Sequence, residues 1–143
     1  MSSLRVRIWG VRGSIPAPGG QTVQYGGNTP CIEIRYGPND DLIIIDAGTG
    51  IKSLSDEIMS RSAPSVKARL FFTHTHWDHV MGFPFFVPIF VEGTDLDIYS
   101  PVTHEDEGLD QIIGTLLSYR HFPVRQSELS AAIRYHYILK KVG

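Results

Sequence analysis

Apolar and polar side chains alternate first through Arg5, Val6, Arg7, Ile8 and Trp9, a period of two that predicts a strand with one buried face. Cys31 to Tyr36 and Leu42 to Asp46 predict two more strands. Gly37-Pro38-Asn39-Asp40-Asp41 between them is turn chemistry throughout, so the pair forms a hairpin. The run Leu42-Ile43-Ile44-Ile45 is apolar on both faces, the pattern of a strand covered by helices on one side and by another sheet on the other. After Asp46-Ala47-Gly48-Thr49-Gly50 the period changes: Ile51, Leu54, Ile58 and Met59 recur at helical spacing and predict a helix from Ile51 to Arg61. Lys67 to Thr73 returns to strand and Leu96 to Tyr99 predicts another. Glu105 to Leu117 predicts a helix with Leu109, Ile112, Ile113 and Leu116 on one face, and Ala132 to Leu139 a last strand. No internal repeat is visible, and the alternation of strands and helices argues for one layered α/β domain over residues 1–143.

Val11 to Pro30 holds five glycines and three prolines and is too long for a hairpin. Loops beyond about 12–15 residues in a compact domain are commonly functional, and the specific turn chemistry of this one places it at the border of a site. Composition narrows the class further. With 42% apolar and 20% charged residues among 143, the chain is an ordinary globular one and neither collagen-like nor disordered. A net charge of −2 exerts no whole-chain pull on nucleic acid or anionic lipid. The longest apolar run, Val80 to Val91, is interrupted by Gly82, Pro84 and Pro88 and falls short of the roughly 20 residues of a membrane span. The N-terminus lacks the apolar stretch of a secretory signal, so the expected location is cytoplasmic. Cys31 is the single cysteine, which excludes an internal disulfide and a cysteine-rich zinc site and predicts a buried thiol.

The densest chemistry lies in His74-Thr75-His76-Trp77-Asp78-His79, where three of the six histidines and a carboxylate share six positions. On a strand end, His74 and His76 project to one side by the period of two, and Asp78 and His79 on the following turn fold back toward them. Imidazole and carboxylate together suit a divalent zinc, iron or manganese ion better than copper(I) or an iron–sulfur centre. A satisfied polar surface turn is the competing account, but it gives no reason for four metal-competent side chains in one short segment.

With Gly82 shortly after it, Thr73-His74-Thr75-His76-Trp77-Asp78-His79 resembles the signature of the metallo-β-lactamase-fold hydrolases. Gly10-Val11-Arg12-Gly13-Ser14-Ile15-Pro16 is similar to the opening loop of the branch that contains transfer-RNA 3′-processing enzymes and cyclic phosphodiesterases. Tyr25-Gly26-Gly27-Asn28-Thr29 is similar to its second loop, and Asp46-Ala47-Gly48-Thr49-Gly50 to its strand-end Asp-x-Gly element. The resemblance implies a metallo-β-lactamase-type αββα sandwich, here its N-terminal half. It implies His74 and His76 as ligands of a first metal and Asp78 and His79 as ligands of a second, with Asp78 the catalytic residue in this chain. Asp46 would orient the metal loop and fix a histidine tautomer. The implied cofactor is a pair of zinc ions, with manganese or iron as alternatives. The implied reaction is metal-dependent hydrolysis of phosphodiesters by a di-metal-activated hydroxide.

The same family completes its site with a further histidine, a bridging aspartate and a last histidine from the second half of its duplicated fold. Beyond Leu96 this chain offers His104, His121 and His136, none in a setting like those later motifs. His104 reads as a neighbour of a helix cap, His121 as a non-ligand and His136 as a packed or edge histidine. The competing functions are therefore a truncated, non-catalytic metal-loop module and a thioester or other acyl hydrolase of the same fold. The expected partners are a phosphodiester-containing substrate, nucleic acid included, and no membrane. Strands apolar on both faces add an expectation of self-association or of a C-terminal complement. Other signals are weaker. Gly48 to Ser53 lacks the spacing of a phosphate loop. Phe83, Phe85, Phe86 and Phe90 read as core beneath the metal loop rather than as a substrate pocket. Glu105, Asp106, Glu107 and Asp110 suit a helix start, and Arg120, Arg125, Arg134, Lys140 and Lys141 give the tail a mild basic bias.

Overall fold

The computed structural model describes residues 4–101 and 108–138. Six strands form one sheet in sequence order: β1 (Leu4–Gly10), β2 (Cys31–Tyr36), β3 (Asp41–Ile45), β4 (Lys67–Phe71), β5 (Asp95–Pro101) and β6 (Ala132–Ile138). The hairpin β2–β3 is antiparallel with Ile34 opposite Ile43, and β1 is antiparallel to β2. The pairs β3–β4, β4–β5 and β5–β6 are parallel. Hence β1, β3, β4, β5 and β6 all point the same way, and their carboxyl ends share one edge.

The helices are α1 (Ile51–Met59), a one-turn α2 (Trp77–Val80) and α3 (Leu109–Leu116). All three lie on one face of the sheet. Register places Leu42, Ile44, Ala68, Leu70, Leu96 and Ile98 on that face, where they are buried with Ile51, Leu54 and Ile58 of α1 and Leu109, Ile113 and Leu116 of α3. Phe83 and Phe86, in the turns after α2, are fully buried in the same core. Phe90 is partly buried against it, whereas Phe85 is about half exposed, edge-on to Phe122. Cys31 is buried as expected, and burial, with Asp46 and Glu33 nearby, pushes its thiol pKa well up.

The opposite face has no helix over it among the described residues. There the expectation for β1 is reversed. Arg5 and Arg7 project to the helix-covered side, in register with Arg35 and Glu33, while Leu4, Val6 and Ile8 project to the open side and are 58–70% exposed. The alternation in β1 is real, but its apolar set faces away from the core that the described residues form. Ile32, Ile34, Ile43 and Ile45 line the same open face, half-buried by one another.

Smaller boundaries shift too. The first helix ends at Met59 rather than Arg61, where the Ser60 N–H closes on the Asp56 carbonyl and the Arg61 N–H on that of Ile58. The described part of the acidic helix begins at Leu109; His104, Glu105, Asp106 and Glu107 lie outside the described residues, as do Leu139, Lys140 and Lys141. No helix among the described residues is long and apolar enough to cross a membrane.

Candidate metal centre

β3 and β4 end side by side, and the segments that follow them form the site. Backbone bonds lock the two together: Ala47 N–H donates to the His79 carbonyl at 2.8 Å, and Gly82 N–H to the Ala47 carbonyl at 2.8 Å. This contact requires glycine. A Cβ on Gly82 would sit 2.1 Å from the Gly48 carbonyl oxygen, and one on Gly48 would sit 2.5 Å from that of Asp78. The chain thus spends side chains at Gly48 and Gly82 to bring Asp46 against the histidine loop.

Asp46 is 3% exposed, with φ at 61°, a left-handed conformation that costs a non-glycine residue about 1 kcal/mol or more. In that conformation its carboxylate faces the loop. Thr73 donates to it twice, from its N–H to Oδ1 and from its hydroxyl to Oδ2, both at 2.8 Å, and His79 Nδ1 lies 2.8 Å from Oδ2. An ionised carboxylate only accepts, so His79 Nδ1 is the donor in that contact. The same logic reaches His74. The Thr73 hydroxyl spends its proton on Asp46, so it accepts from His74 Nδ1 at 3.0 Å. Burial and the neighbouring imidazoles lower the His74 pKa.

The rings of His74 and His76 have centroids 4.5 Å apart, and those of His74 and His79 4.1 Å. Asp78 Oδ2 lies 3.5 Å from His79 Nε2 and accepts a 2.9 Å hydrogen bond from the Ser14 backbone N–H. That bond holds the Asp78 carboxyl below its ordinary pKa. Ser14, at φ 74°, brings the glycine-rich loop to the site. His74, His76, Asp78 and His79 are therefore gathered at one place, with Asp46 behind them. The donor types suit a divalent ion. No group of three or more His, Cys, Asp or Glu side chains among the described residues is arranged to hold a metal ion; the imidazoles pack ring against ring instead.

Sequence reasoning missed Ser14 and Thr73 as contributors. Thr73 stands inside the motif and was legible as a strand-end hydroxyl; nothing local marks the Ser14 N–H. His136 is far along the sheet edge on β6, its Nε2 at 2.7 Å from Asp97 and its ring stacked on Tyr99. His121 bonds to the Ser118 hydroxyl at 3.0 Å.

A mostly parallel sheet with helices on one face and a histidine–aspartate loop at the carboxyl ends of its strands has the metallo-β-lactamase fold. Superposition on the short form of human tRNase Z gives a TM-score of 0.61 at 20% identity, covering 99% of this chain and 47% of that one. A diphosphatase of the PhnP family gives 0.58 at 16% identity, covering 96% and 51%. A Thermotoga maritima protein named provisionally as a metallo-β-lactamase fits more loosely, at 0.47 and 16% identity, covering 94% and 59%. The chain thus spans about half the length of the first two. No protein-family model and no curated sequence matches it.

Proposed function

We propose that this chain carries the metal loop of a metal-dependent hydrolase of phosphodiester bonds. The observation that supports the reading is the Asp46 carboxylate, which accepts from Thr73 and from His79 Nδ1 and so ties the histidine loop to the end of β3 beside His74, His76 and Asp78. His74 and His76 would hold a first ion and Asp78 and His79 a second, zinc before manganese or iron. Ions held there would supply Lewis acidity toward water and toward a phosphoryl oxygen. The chain's own contribution is positional. Asp46 and Thr73 orient the imidazoles, and the Ser14 N–H keeps Asp78 ionised and aimed. The neighbouring tRNase Z and diphosphatase support a phosphoester substrate, nucleic acid included. The uncovered sheet face supports a covering partner, either a second copy or a C-terminal complement.

Zinc content after dialysis, measured by elemental analysis beside His76→Ala, tests the reading. The expected result is bound zinc in the parent and a substoichiometric amount in the variant. Equal metal content rejects the assignment. Hydrolysis of a generic phosphodiester is expected to be negligible for the 143 residues and to appear when a second half is supplied, because clamping both oxygens needs the ions placed together. Zinc retained with no turnover in either form favours the non-catalytic metal-loop module.

A further inference from the structure

At the opposite edge of the sheet from the histidine loop, on the helix-covered face, β1 and β2 and the last turns of α1 enclose a cleft of about 300 Å³ lined by Arg5, Arg7, Glu33, Arg35, Glu57 and Arg61. Four guanidinium groups in one small space are unusual. Three of them have a carboxylate: Arg5 pairs with Asp40, Arg7 with Glu57, and Arg35 Nε donates to Glu33 at 2.7 Å. Among the described residues, Arg61 reaches only the oxygen of Glu57 left by Arg7, at 3.6 Å. Against Asp40, Glu33 and Glu57 the set keeps one surplus positive charge.

Arg35 sharpens the picture. Its side chain is 9% exposed, yet Nη2 has no hydrogen-bond partner among the described residues. Nε is used by Glu33, whose other oxygen is held by the Trp9 indole N–H at 2.9 Å, and Nη1 makes only long contacts to Asp40, 3.4 Å to its carbonyl and 3.7 Å to its carboxylate. Glu33 therefore cannot turn to serve Nη2 without surrendering Trp9. A buried guanidinium N–H left unpaired is costly, and a fork of such donors matches the oxygens of phosphate. The C-terminal end of α1 adds a partial negative charge, which Arg61, just beyond the helix, offsets.

We propose that this cleft is a binding site for a small oxyanion of the phosphate class, held by Arg61 and by the Arg35 guanidinium, whose Nη2, shut off from solvent in this structure, is uncovered as the ion enters. It is separate from the metal loop and does not depend on the hydrolase reading. The probe is inorganic phosphate, titrated into the metal-free chain at constant ionic strength with chloride as the reference, followed by amide and arginine Nε–H nuclear magnetic resonance. Saturable shifts at Arg35, Arg61 and residues 5–7 are expected. Arg61→Gln, on an exposed side chain, should weaken binding about fivefold or more, and Arg35→Lys, which keeps the charge but loses the fork, about tenfold. His76→Ala should leave these shifts unchanged, which separates the cleft from phosphate bound at the histidines. Shifts that grow linearly without saturating, or saturable binding that Arg61→Gln leaves intact, would overturn the proposal. Should Arg35→Lys fail to fold, Arg61→Gln decides alone.

Discussion

Single carboxylates do different work at the two ends of this sheet. Asp46 is spent on positioning, its oxygens taken by Thr73 and His79. Asp97 is spent on holding β6. Arg134 grips it through Nε at 2.8 Å and Nη2 at 2.9 Å, His136 adds Nε2, and together they draw its pKa from 3.8 to about 2. A folded-state pKa below the ordinary one stabilises the fold above about pH 4, and that stabilisation is lost as pH falls through 2. Asp97→Asn should therefore melt below the parent at pH 6, with the gap closing between pH 4 and pH 2. Thermal unfolding followed by circular dichroism checks this, and a gap that stays constant with pH would mean that the ionised carboxylate contributes nothing.

The glycines decide how the elements meet. Gly82 lies where the turn after α2 passes over the turn after β3, with backbone rather than a flexible side chain in the way of any Cβ. Gly82→Ala must push the two segments apart and is expected to cost about 1–3 kcal/mol, the usual penalty of overpacking. Gly13→Ala, where a Cβ meets nothing within 4 Å, is the control and should be near neutral. Urea midpoints of the two variants against the parent measure the difference. The elements themselves were plain in the sequence: each strand and the first helix fall within a few residues of their expected places, because a period of 2 or 3.6 is a local property. The orientation of β1 was not, since alternation says which residues share a face but not which face meets a helix.

For the whole molecule, the open face of the sheet sets the behaviour. Leu4, Val6 and Ile8 are exposed beside half-buried Ile32, Ile34, Ile43 and Ile45, and each exposed aliphatic side chain forgoes roughly 1.5–3 kcal/mol of burial. Contiguous apolar patches of this kind are normally covered by a partner. At micromolar concentration the 143-residue chain should bind a hydrophobic dye and elute larger than a monomer by light scattering coupled to size exclusion. Replacing Val6 and Ile8 by lysine should reduce both signals. A parent chain that runs as a monomer, melts cooperatively and binds no dye would show that this face is content in water.

What the sequence determined by itself was the set of elements and the gathering of His74, His76, Asp78 and His79, because strand period and short spacing act over a few residues. The glycine-rich loop announced itself in the same way, by length and turn chemistry. The resemblance already assigned Asp46 to the histidine loop; only the tertiary structure decided that Thr73 joins it there, that a backbone N–H of Ser14 aims Asp78, and that Arg35 is buried with a donor to spare. Those contacts join residues 27 and 64 positions apart or depend on a close approach of backbone at Gly48 and Gly82. They follow from sheet register and from the side on which α1 packs, which no local pattern encodes.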